Sequence, residues 1–167
     1  MQLTDIINRY AAQPQPQAET PAHFDEASRA ASAESLGGAL SSMFRSNATP
    51  SFGEMVGHLF GQSSPEQRAG VLNHLAQSLG PAATTVGGGL LGKLLGGQTG
   101  GASPPAITPA QASQISPSDV AKVATHAEQQ NPSVVDKVGA FYAQHPTLVK
   151  TLGVAALAVA LGHMQKQ

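Results

Sequence analysis

Five of the chain's 12 prolines stand directly after a residue that can open a helix: Ser64-Pro65, Thr108-Pro109, Ser116-Pro117, Asn131-Pro132 and His145-Pro146. A proline at the first helical position loses nothing, because that N–H has no partner inside the helix and the ring already holds φ near the helical value. A preceding Ser, Thr or Asn accepts from the free N–H groups of the first turn. Helices are therefore predicted to start at 65, 109, 117, 132 and 146. Joints this short make neighbouring helices fold back on one another. The only β-leaning stretch, Ala82 to Val86, is too short for a sheet. The predicted class is all-α, a small helical bundle.

Apolar spacing fills in the pattern. Phe52, Met55, Val56, Leu59 and Phe60 share one helical face, opened by Ser51 with Glu54. Val71, Leu72, Leu75 and Leu79 mark the next helix, which Gly80-Pro81 stops. Residues 51–81 thus read as a helical hairpin that must dock on something, since two short helices bury too little alone. Residues 108–167 read as Pro-started helices sharing one core with 51–81. Residues 1–50 read as a flexible arm. It has a short helix on Leu3, Ile6, Ile7 and Tyr10, a Gln/Pro break at 13–17, and an Ala/Ser-rich helix over about 22–45.

Residues 82–107 form a Gly/Pro-rich linker; Gly87 to Gly101 alone hold eight of the 18 glycines. Gly87, Gly89 and Gly92 fit G-x-G-x-x-G, and Gly87 to Lys93 fits G-x-x-x-x-G-K. Leu94 stands where a P-loop needs Ser or Thr for magnesium, and no parallel sheet surrounds the tract, so no nucleotide cofactor is expected. Leu90, Leu91, Leu94 and Leu95 share a helical face and are expected to pack.

Composition removes several chemistries. Nine basic and ten acidic residues give a net charge of −1, which argues against a nucleic-acid protein, since such a protein normally shows a basic patch. No cysteine means no thiolate metal site and no cysteine nucleophile. The six histidines (23, 58, 74, 126, 145 and 163) include no i, i+4 pair and read as solvated or helix-end residues. Asp119, Glu128 and Asp136 read as capping or surface groups. An enzyme would need at least two of His58, His74, His126, Asp119, Glu128 and Asp136 to converge in a pocket. The expectation is a non-enzymatic protein without cofactor or metal. Asp5 occupies the place of a signal peptide's basic residues, so the expected location is cytoplasmic.

Leu152 to Gly162 contain no polar side chain, and the surrounding run is expected to form one apolar helix over 146–164. A run of this length suits a buried core helix better than a membrane span, which wants about 20 residues. Leu152, Val154, Leu157, Val159 and Leu161, with Phe141 and Tyr142 before them, are the candidate core or interaction residues. The expected function is helix-mediated interaction with a protein partner or self-association. A peripheral membrane contact through 146–164 is the alternative, and an enzyme with scattered acid–base groups the third.

The Gly/Leu tract, followed by Ile107-Thr108-Pro109-Ala110-Gln111 and Ser116-Pro117-Ser118-Asp119-Val120, resembles the YidB-like group of small bacterial helical proteins. The resemblance covers about residues 86–145. It implies a bacterial, helical protein and brings no catalytic residues with it. The N-terminal arm and the extension from His145 to Gln167 depart from the group's pattern.

Overall fold

The computed structural model describes residues 2–13, 15–85, 89, 91–93 and 106–164. The described residues are mostly helical, with no strand among them; the fold is all-α. We label the helices α1 (Leu3–Ala12), α2 (Thr20–Ala30), α3 (Ala33–Phe44), α4 (Phe52–Gln62), α5 (Pro65–Leu79), α6 (Pro109–Ala112), α7 (Pro117–Gln130), α8 (Val134–Ala143), α9 (Pro146–Val149) and α10 (Val154–His163). A 3-10 turn over Gly80–Thr84 follows α5, and another over Lys150–Leu152 precedes α10. Leu90, Leu94 and Leu95 of the expected leucine face and most of the glycine tract lie outside the described residues; Leu91 is described and buried.

The caps form as their residue types require. Ser64 and Gln67 exchange side-chain and backbone hydrogen bonds at the start of α5, and Thr108 and Gln111 do the same at α6. The Ser116 side chain accepts from the Asp119 N–H at α7. Each cap satisfies donors that the first helical turn leaves open.

The chain divides into two compact units, residues 1–51 with 135–167, and residues 52–134. The division differs from the expected domain plan. The hairpin at 52–79 shares its unit with α6 and α7 only, whereas 135–164 belong with the N-terminal segment. That segment carries its own core: Ile6, Tyr10, Phe24, Leu36, Leu40 and Met43 are all buried. The single helix expected over 22–45 is two, parted at Ala31-Ser32, where Ser32 takes extended backbone and caps α3.

In the first unit α10 packs against α1, α2 and α3. The apolar helix expected over 146–164 is interrupted at Gly153, whose φ of +93° suits a residue without a Cβ. In the second unit α4 lies along α7, and α5 packs on α6 and α7. Arg68 on α5 donates to the carbonyls of Phe60 (3.0 Å) and Gly61 (3.1 Å) and stacks over the Phe60 ring, closing the C-terminal end of α4. The Asn73 amide exchanges two hydrogen bonds with the Ile107 backbone (2.7 and 3.2 Å), anchoring the chain where it re-enters the unit.

Candidate functional site

The seven residues picked out near the C-terminus separate into two groups, both within the first unit. Tyr142, Leu157 and Leu161 are fully buried and Val159 nearly so; they are core. Phe141 and Leu152 are half-buried, and Val154 is 40% exposed, the one large hydrophobic side chain so exposed among the described residues. The break at Gly153 produces this edge. The 3-10 turn ends there, and residues 153–155 emerge into solvent before α10 turns inward at Ala156. The Thr151 hydroxyl donates to the Leu148 carbonyl (2.6 Å) and steadies the turn. The Phe141 ring lies 5.1 Å from the His145 ring, and His145 and Leu148 are also half-buried. Phe141, Pro146, Leu148, Leu152 and Val154 are thus the larger partly exposed apolar residues of this stretch, with the His145 ring beside Phe141.

A second constellation was not legible in the sequence. His23, expected to be solvated or at a helix end, is only 7% exposed. Its Nδ1 lies 3.1 Å from the Tyr10 hydroxyl, which lies 2.9 Å from Thr20 Oγ1; the Gln17 N–H donates to the same Thr20 oxygen (2.8 Å). Tyr10 and Thr20 are fully buried. Hydrogen bonds can run along the whole row, with Thr20 donating to Tyr10 and Tyr10 donating to His23 Nδ1. A hydroxyl on an imidazole is the pairing of an activated nucleophile. With both hydroxyls sealed in the core, its role is instead to tie α1 to α2. The sequence signal was faint: Tyr10 follows Ile6 at helical spacing, and Thr20 and His23 are i, i+3 on α2. Tyr10→Phe should cost about 1–3 kcal/mol, because it strips partners from two buried groups. Urea unfolding of both proteins checks this, and an unchanged midpoint would contradict it.

Several charged groups are engaged in structure. Asp119 accepts from its own cap, Ser116 (2.7 Å), and lies 3.7 Å from Lys122. Asp136 takes a two-pronged hydrogen bond from Arg45 (2.8 and 3.0 Å). That bond, partly opposed by burial and aided by the arginine's charge and by Ser41, holds the Asp136 carboxyl below the usual range. Lys150 meets Asp25 at 2.8 Å. Of the six groups an enzyme was expected to gather, only His126 lines one of the two shallow depressions described, beside Glu54, Lys122 and Thr125. No group of three potential metal ligands occurs among the described residues. No helix among them is long and apolar enough to cross a membrane.

No protein family model, curated protein or solved structure matches this chain.

Proposed function

We propose that the chain is a non-enzymatic, cytoplasmic protein of bacterial type that works through helix-mediated interaction, in its simplest form self-association. The resemblance of residues 86–145 to the YidB-like group belongs to the same proposal. The exposure of Val154 beside half-buried Leu152 carries the reading, because almost all other large apolar side chains among the described residues are covered. An exposed apolar group flanked by further apolar surface is where a partner gains most from excluding water. The engagement of Asp119 and Asp136 in a cap and an ion pair supports a role other than acid–base catalysis.

Val154→Glu tests the proposal with little risk to the fold. The position opens α10, and an acidic side chain suits a helix N-terminus. Sedimentation from about 1 to about 100 μM should show reversible association of the native chain. The variant should associate at least about tenfold more weakly, the equivalent of about 1.4 kcal/mol. A constant monomer mass over the whole range would remove self-association. Co-sedimentation with anionic vesicles, lost in the variant, would assign the edge to a lipid surface instead.

A further inference from the structure

The two units contain the same helix pair. Residues 35–45 and 51–61 align without a gap, sixteen positions apart, with Ser, Gly and Phe identical at 35/51, 37/53 and 44/60. Seven positions of the stretch are buried, and they are the same seven in both copies. Residues 117–129 and 132–144 also align, fifteen positions apart. Pro117, Ser118, Val120, Lys122, Val123 and Gln129 all recur unchanged in the second copy. The burial pattern from Val120 to Ala127 returns from Val135 to Tyr142, apart from the partly exposed Ala121, whose counterpart Asp136 is exposed.

The contacts repeat in the same register. A Cβ placed on Gly53 of α4 would run into Thr125 of α7; one placed on Gly37 of α3 would meet Ala140 of α8 at 3.2 Å. Gly37 is the counterpart of Gly53, and Ala140 of Thr125. One turn further on, Gly57 faces Ala121; in the first copy Arg45, two turns on from Gly37, pairs with Asp136, the counterpart of Ala121. Both pairs run antiparallel, since the later residue on one helix meets the earlier residue on the other. Shared helical preference alone would repeat neither the partners nor the register.

We infer that α3/α8 and α4/α7 are two copies of one antiparallel helix-pair module, so that the seam on an α3-type helix recognises an α7-type helix as its partner. The seam differs between copies in compensating ways. The first copy has Ser41 and Gly139, with the space a Cβ on Gly139 would need occupied by Ser41 Oγ at 2.5 Å. The second has Gly57 and Ala124 at the corresponding positions. Each copy thus keeps one glycine and one small side chain, on opposite helices. This inference stands independently of self-association.

The full-length chain tests it in urea unfolding. Gly139→Ala should raise the unfolding constant about tenfold or more in the native background, and less than about threefold in a Ser41→Gly background, which recreates the second copy's combination. If Gly139→Ala alone does not fold, recovery of cooperative unfolding in the double variant is the same result. Ala140→Thr, which copies Thr125, should be tolerated where Ala140→Leu is not. An equal penalty for Gly139→Ala in both backgrounds, or a penalty for Ala140→Thr as large as that for Ala140→Leu, would overturn the duplication.

Discussion

Leu157→Ala should lower the stability of the chain by about 2–5 kcal/mol. The side chain is fully buried on α10, the helix that packs against α1, α2 and α3. Truncation removes apolar contact and leaves a cavity, and the cost depends on how far the surroundings can close it. Closure is poor here. Of the helix positions three and four residues away, which share its side of the helix, Gly153 and Ala160 have little or no side chain with which to fill the space. A loss of this size is a large share of the roughly 5–15 kcal/mol that holds an ordinary domain folded. Val154→Ala is the matched control: an exposed site on the same helix, expected to change stability by no more than about 0.5 kcal/mol. Denaturant midpoints read by helical circular dichroism decide the matter. A cost below about 1 kcal/mol for Leu157→Ala would mean that α10 is not the centre of its unit.

Gly53→Leu should be at least as damaging, for the opposite reason. The α4–α7 seam has no room. A Cβ at Gly53 would meet Thr125 Oγ1 and the Ala121 carbonyl oxygen at 2.5 Å. The threonine could turn away only by giving up its 2.9 Å bond to that carbonyl, and the carbonyl itself is backbone. The helices must separate, and the apolar contacts along both of them loosen together. Overpacking costs about 1–3 kcal/mol for a small excess and more for a large one. Gly61→Ala, on the same face two turns on, provides the contrast. Its nearest neighbour would be Pro117 Cγ at 3.4 Å, an ordinary contact, and alanine favours a helix over glycine by about 1 kcal/mol. Thermal unfolding should therefore show a fall for Gly53→Leu and no change or a small rise for Gly61→Ala. Equal tolerance at the two positions would show that the seam is not close-packed at Gly53.

The elements were far more legible than their partners. Ser64-Pro65-Glu66-Gln67 and Thr108-Pro109-Ala110-Gln111 announce helix starts through local chemistry, and those helices begin there. The apolar face of α4 could be read from spacing alone, because its Phe, Met and Leu residues outweigh its glycines. The N-terminal segment was harder. Its burial rests partly on Ala27, Ala39 and Gly37, small residues that look like weak core material until a partner helix comes close. The break at Gly153 hid in a run where every residue is apolar, since hydropathy carries no information about φ. The Tyr10–Thr20–His23 row depends on a contact between helices, and no spacing within one helix encodes it. The exposed edge at Val154 follows from that same break, so it stayed out of reach of any argument that treated 146–164 as one helix.

The order in which the first unit collects its helices sets a timetable for synthesis. The apolar face of α3 is complete once Phe44 has been made, yet its seam partner α8 begins at Val134, ninety residues later. At ribosomal rates of about 5–20 residues per second, that face waits roughly 5–20 s for its cover. Contacts so distant in sequence also form slowly once the chain is free, because a long loop must close before they repay its entropy. A nascent chain that has passed α5 has made neither α8 nor α10, the two later helices that pack on α3, so the apolar residues of α3 stay incompletely covered until both are complete.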